Sequence, residues 1–178
     1  MLRALSHFAD NAGKTCPAKL RGMSIALHAK NEGSLMPQEP SHAGPNWWTH
    51  RRVNLNQEQV RILIVDDYEV GAGAMAEYLS LDGWDCRTAF HGKDAIALAI
   101  QWQPHFVMMD ISMLELDGVE AAHALRNEPQ TRDVVIIAFT SLTEYEVRRR
   151  GGGTDFDGYF QKGQFSSTLV DFIRGAIA

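Results

Sequence analysis

From Val60 onward, short apolar runs alternate with longer amphipathic stretches, and the alternation repeats five times. Arg61-Ile62-Leu63-Ile64-Val65 has the length and apolar density of a buried strand. A helix is predicted from about Val70 to Leu81, stopped by Asp82-Gly83, and a second strand from Asp85 to Ala89. The next helix, about Lys93 to Trp102, carries a wide apolar face of Ala95, Ile96, Leu98, Ala99 and Ile100, and Pro104 ends it. Phe106-Val107-Met108-Met109 is the central strand, and a third helix runs from Gly118 to about Arg126, with Pro129 closing its loop. Val134 to Phe139 is the fourth strand, Tyr159-Phe160 a short fifth, and Ser166 to Ile177 a final helix that buries Leu169, Phe172 and Ile173. Such alternation predicts an α/β domain with a parallel sheet wound on both faces. The fourth helix is irregular. It is due from about Thr143 to Thr154, yet it contains Gly151-Gly152-Gly153, each costing about 0.8–1 kcal/mol against alanine. It either ends early, at Arg150, or melts easily.

Residues 1–59 show no sustained period. Pro17, Pro37, Pro40 and Pro45, with Gly13, Gly22, Gly33 and Gly44, interrupt the segment too often for long elements. It reads as a largely disordered extension or linker, with a short helical stretch near Ser24 to Lys30, and residues 60–178 as the folded domain. Trp47-Trp48, followed by His50-Arg51-Arg52, is its distinctive patch. Such a patch suits partner docking or base stacking, but linker aromatics packing on the domain are the favoured reading.

The strands end on chemistry. The first stops at Asp66-Asp67, the third at Asp110, the fourth at Thr140-Ser141 and the fifth at Lys162. A strand-end Asp taken alone is best read as a helix cap. In an open parallel sheet, however, the carboxyl ends of neighbouring strands converge where ligands bind, which gathers three carboxylates, a hydroxyl and an ammonium into one shallow pocket. Three such carboxylates repel by several kcal/mol at an effective dielectric near 20. A hard divalent cation relieves that repulsion, and a few oxygen ligands plus water is how Mg2+ is usually held. With the metal in place Asp110 can attack a phosphoryl group in line, while Lys162 and Thr140 help to neutralise its oxygens.

Charge narrows the partners. Residues 1–59 hold seven Lys/Arg against four Asp/Glu, and residues 60–178 ten against eighteen. An acidic folded body argues against nucleic acid, since phosphate contacts need a basic face. No apolar run reaches the roughly 18 residues of a membrane span, and the first twelve residues lack the apolar stretch of a secretory signal. Cys16 and Cys86 sit in unrelated contexts, Cys86 as a buried strand thiol, which favours a reducing, cytoplasmic setting over disulfides.

Val65-Asp66-Asp67, Met109-Asp110, Asp117-Gly118, Phe139-Thr140-Ser141 and Tyr159-Phe160-Gln161-Lys162 stand in order and at the separations of a known pattern. From Arg61 to its end the chain resembles the receiver domain of two-component response regulators. The resemblance implies a flavodoxin-like, doubly wound five-stranded parallel sheet of order 2-1-3-4-5. Asp110 is then the phosphoacceptor, and Asp66, Asp67, Asp110 and the backbone carbonyl of Ser112 hold Mg2+. Lys162 and Thr140 assist the transfer, and Thr140 with Tyr159 forms a switch. The implied partners are a sensor histidine kinase or histidine phosphotransferase and a downstream protein target, with no nucleic acid and no membrane. Self-dephosphorylation is the only other reaction implied, and a homodimer stays open. With the domain ending at Ala178, the signal is expected to pass by protein contact, as in single-domain regulators.

The chain departs from the pattern in three places. Gly163 replaces the Pro that usually follows the Lys, Leu114 the Pro four residues after the phosphoacceptor, and Asp155 the Gly that usually ends the fourth helix. No reacting group is lost; the loop that fixes Lys162 is loosened. Rival readings fare worse. Gly71-Ala72-Gly73-Ala74-Met75-Ala76 fits a dinucleotide fingerprint, but Asp66, Asp67 and Glu69 precede it and would repel a pyrophosphate; small residues that bring a helix close to the sheet explain it better. An aspartate-nucleophile phosphatase needs an acid at position 112, which is Ser. A phosphorylation-independent docking module keeps the fold but leaves the full set of site residues unexplained. His91, His105 and His123 lack metal-binding spacing, and Arg148-Arg149-Arg150 reads as a solvated helix face that would also suit an acidic partner.

Overall fold

The computed structural model describes residues 44–178 except 57 and 165. The region of Cys16 and the helical stretch expected at Ser24 to Lys30 lie outside the described residues. Six strands, β1 (Asn46–Trp47), β2 (Arg61–Val65), β3 (Asp85–Ala89), β4 (Phe106–Met109), β5 (Val135–Thr140) and β6 (Gly158–Gln161), form one sheet in the order β1-β6-β5-β4-β2-β3. The helices are α1 (Glu69–Ser80), α2 (Gly92–Trp102), α3 (Gly118–Asn127), α4 (Glu144–Val147) and α5 (Ser166–Arg174). From β2 to β6 every pairing is parallel, giving the expected five-stranded 2-1-3-4-5 arrangement.

Strand alternation divides the core in two. Leu63, Val65, Val107 and Met109 face one side with Ala95 and Ala99 of α2 and Ala121 and Leu125 of α3. Ile62, Ile64, Phe106 and Met108 face the other with Ala72 and Leu79 of α1 and Leu169 and Phe172 of α5. Burying each large apolar side chain contributes about 1.5–3 kcal/mol, so the central strands hold the sheet rigid behind its edge. The register aligns Val65 with Met109 and Met109 with Ala138, so Asp66 and Asp110 leave the sheet level with each other.

The sixth strand was not expected. β1 comes from the extension and pairs antiparallel with β6, Asn46 opposite Tyr159 and Trp47 opposite Gly158. Without it β6 would be an open edge with unpaired backbone groups. Gly158 makes the pairing possible, because a Cβ there would come 2.9 Å from the Trp47 ring. That ring stacks on Phe172 at 4.1 Å. The chain then stays on the domain: the N–H groups of Trp48 and Thr49 donate to Asp157 O at 2.7 and 3.1 Å, and Val53 N–H donates to Ala176 O at 2.8 Å. A two-residue strand has no periodicity, which is why residues 44–53 look structureless in the sequence.

The fourth helix stops sooner than Arg150. Thr143 opens it with a capping box to Glu146, but regular α-helix ends at Val147. Residues Arg148–Gly152 form a wider π-type turn in which Gly151 adopts φ 93°, a conformation open to glycine at little cost. Among the small residues of the Gly71 to Ala76 run, Ala72, 1% exposed, makes the close approach to the sheet; Gly73 faces open space and Gly71 meets the Tyr68 ring. Cys86 is half-buried rather than buried, and desolvation raises its thiol above the ordinary pKa.

Candidate functional site

At the carboxyl edge of β2 and β4, one carboxylate oxygen each from Asp66, Asp67 and Asp110 lies within 4.8 Å of the others. Asp66 and Asp110 are buried and Asp67 is partly exposed. Backbone donors fix the two buried acids. Asp66 Oδ1 accepts from Tyr68 N–H at 3.1 Å, and Asp110 Oδ1 accepts from Ile111 N–H at 2.7 Å and Ser112 N–H at 3.3 Å. Their remaining oxygens face Lys162, whose Nζ lies 2.7 Å from Asp66 Oδ2 and 2.8 Å from Asp110 Oδ2. Burial alone would push the Lys162 ammonium down, but these two carboxylates outweigh it and hold its pKa above the ordinary value. Lys162 is therefore a fixed cation at this pocket.

One ammonium does not balance three carboxylates. Unit charges 4 Å apart interact by about 4 kcal/mol at an effective dielectric of 20, so the excess negative charge favours a further cation. All the donors are hard oxygens, which fits magnesium or calcium better than a soft metal. Ser112, the remaining proposed ligand through its carbonyl, is exposed in the loop beyond Asp110.

Thr140, 1% exposed, ends β5, and its carbonyl accepts the Lys162 backbone N–H at 2.8 Å. Its hydroxyl accepts only a long bond, 3.4 Å, from Leu142 N–H. Tyr159 sits one strand over, 2% exposed, with its hydroxyl donating to Leu142 O at 2.8 Å. Burial, then the charges of Glu144 and Glu146, push that phenol up to about 12. Asp110, Asp66, Asp67 and Lys162 thus meet directly, while Thr140 and Tyr159 meet through Leu142.

Gly163 follows Lys162 with φ +90°, which proline cannot adopt, so the departure from the family pattern is built into the turn itself. Leu114, 74% exposed, stands in the loop after Asp110. Asp117 does not enter the pocket; it caps α3, accepting from Val119 and Glu120 N–H. Gly118 has a role that sequence reasoning missed. A Cβ there would lie 2.0 Å from the carbonyl oxygen of Asp110, so only glycine lets α3 begin against the backbone of that residue. The Asp117-Gly118 pair signals the position but not the reason.

Of the histidines, His91 and His123 are exposed, while half-buried His105 accepts Arg61 N–H on Nδ1 at 3.0 Å. Arg149 and Arg150 are exposed as a solvated face would be, but Arg148 lies over the Trp48 ring at 4.1 Å.

Three acids and a lysine thus gather at the carboxyl edge of a doubly wound α/β sheet. Residues 62–174 match the response regulator receiver domain, and the chain belongs to that family. It is 30% identical over 102 residues to the DNA-binding dual master transcriptional regulator RpaA of Synechocystis, covering 57% of this chain and 42% of that one. It is also 30% identical over 118 residues to the response regulator protein VraR of Staphylococcus epidermidis, covering 65% and 55%. The chain spans about half the length of these curated relatives. The chemotaxis protein CheY4 of Vibrio cholerae shares the fold, with TM-score 0.62 at 24% identity over 66% of this chain and 98% of that one. No helix among the described residues is long and apolar enough to cross a membrane.

Proposed function

We propose that this chain is the phosphoacceptor of a two-component phosphorelay. Asp110 takes a phosphoryl group from a phosphohistidine on a sensor histidine kinase or histidine phosphotransferase, and the modified domain changes its contacts with a downstream protein target. The observation that carries this reading is the Lys162 ammonium held 2.7 and 2.8 Å from Asp66 and Asp110, at the level edge of two buried parallel strands. A carboxylate oxygen of Asp110 attacks phosphorus, an O–P bond forms as the N–P bond breaks, and the imidazole leaves, taking up a proton. The backbone donors on Oδ1 keep the Asp110 carboxylate oriented, so little of the barrier is spent on positioning. Lys162 transfers from the Asp110 carboxylate to the phosphoryl oxygens as charge develops there.

Asp66, Asp67 and Asp110, with the Ser112 carbonyl, would hold magnesium, which when bound supplies charge neutralisation at the phosphoryl oxygens. Thr140 offers a hydroxyl donor whose present hydrogen bond is weak. This reading places the protein in the cytoplasm, where such relays draw on ATP-dependent kinases. The test is intact mass after incubation with magnesium and acetyl phosphate. A gain of one phosphoryl group, absent in Asp110→Asn and reversed by alkali as an acyl phosphate requires, is expected. No gain in the wild type contradicts the reading.

A further inference from the structure

We propose that residues 46–48 are a strap, docked on the edge of β6 while Asp110 is unmodified and released when Asp110 carries a phosphoryl group. The proposal rests on the phosphoacceptor reading of Asp110 and adds to it a regulated segment from outside the family match, which begins at residue 62.

The strap is held in two different ways. Its trailing end is anchored at the amino end of β6, where Thr49 Oγ1 donates to Asp157 Oδ1 at 2.8 Å and Arg51 Nε to the same oxygen at 3.0 Å. Its leading part is held mainly by side chains. Trp47 stacks on Phe172, and Trp48 lies parallel to the Tyr159 ring at 6.2 Å. Trp48 Nε1 donates to Glu144 Oε1 at 2.8 Å and Asn46 Nδ2 to the same oxygen at 3.2 Å. Only two residues pair with β6, so the leading part can lift while the anchor stays.

Five consecutive residues join the strap to the acidic pocket. Thr140 borders Lys162, Leu142 holds the Tyr159 hydroxyl, Thr143 caps α4, and Glu144 receives Trp48 and Asn46. A phosphoryl group brings three strong acceptor oxygens to the pocket. The Thr140 hydroxyl proton is free to turn toward them, because that oxygen serves only as a 3.4 Å acceptor for Leu142 N–H. When the hydroxyl swings toward them its oxygen leaves the Leu142 N–H, and the segment from 141 to 144 loses that tether to the pocket. The Leu142 carbonyl then moves off Tyr159, and Tyr159 and Glu144, the two surfaces under Trp48, shift together. What opens is the backbone edge of β6 with the Phe172 and Tyr159 rings beside it.

The experiment is hydrogen exchange by mass spectrometry on the full chain, with and without magnesium and acetyl phosphate, phosphoryl occupancy being read by intact mass in the same sample. Peptides covering 44–49 are expected to exchange about tenfold faster at high occupancy, within the 5–150-fold range usual for coupled sites. Full occupancy with unchanged exchange overturns the strap and leaves the phosphoacceptor reading standing; no occupancy at all overturns both. Tyr159→Phe keeps the stacking and removes the bond to Leu142. At equal occupancy only the Glu144 branch of the route remains, so this variant is expected to release the strap less than wild type, and release equal to wild type overturns the Tyr159 branch. Coupling is reciprocal, so Trp48→Ala is expected to bind the phosphoryl mimic beryllofluoride, with magnesium, about tenfold tighter.

Discussion

Asp157 and Asp110 are buried carboxylates at opposite ends of the same sheet, 1% and 6% exposed, and they are treated in opposite ways. Asp157 is saturated. Its Oδ1 accepts from Thr49 and Arg51, and its Oδ2 from Arg126 and, at 2.9 Å, from Ile136 N–H. Two guanidinium groups serve one carboxylate there. At the other end one ammonium serves two buried carboxylates, with the partly exposed Asp67 beside them. Burial therefore does not distinguish the proposed phosphoacceptor; the ratio of charges does. A carboxylate whose partners are all in place ties elements together, whereas a cluster short of cations keeps an excess of negative charge, which is what the proposed metal and phosphoryl chemistry requires.

The largest effect expected follows from the saturated end. Asp157→Ala strands Arg126 and the Ile136 N–H and cuts the anchor of the extension, and is expected to cost about 3–5 kcal/mol in urea unfolding. Asp110→Asn should stay within about 1 kcal/mol of wild type in the same assay, because losing one charge relieves its neighbours. Equal losses for the two would break the comparison. Next in size is Lys162→Ala, which removes the cation of the reactive end and is expected to slow acetyl phosphate labelling about 10²–10³-fold while the protein stays folded. Gly118→Ala forces a methyl group onto the Asp110 carbonyl and is expected to cost about 1–3 kcal/mol, with slower labelling because the acceptor itself is displaced.

The smallest effect sharpens the comparison with a third carboxylate. Burial pushes Glu144 up, but hydrogen bonds from Arg148, Asn46 and Trp48 outweigh it and leave its pKa below the ordinary 4.5. A depressed carboxylate stabilises the fold above its unfolded pKa, and that contribution is lost as pH falls through the folded value. Tryptophan fluorescence is therefore expected to show Trp48 loosening below pH 4.5, and Glu144→Gln to flatten that transition. An unchanged transition in Glu144→Gln would mean that the carboxylate does not hold the strap.

The sequence makes the cation-poor end plain and conceals the saturated one. Asp66, Asp67, Asp110 and Lys162 are legible because each ends an apolar run, and parallel topology brings such ends together without further information. Asp157 looks like any loop acid before a strand; its partners come from residues 49, 51, 126 and 136, a set that no local spacing reveals. β1 was hidden for the same reason, since two residues carry no period and their partner is more than a hundred positions away. The fourth helix was half legible: the glycines announced a break, and Gly151 does leave helical geometry, but regular α-helix already ends at Val147, which no local pattern marks.

The most direct measurement chemically traps the modified acid. Acetyl phosphate-treated protein reduced with borohydride converts an acyl phosphate side chain to homoserine, which peptide sequencing by mass spectrometry then locates. Homoserine at position 110, and at none of 66, 67 and 157, is the predicted result. Homoserine at another of these positions, or its absence from a protein that has gained a phosphoryl group, would contradict the assignment of Asp110 as the reactive carboxylate.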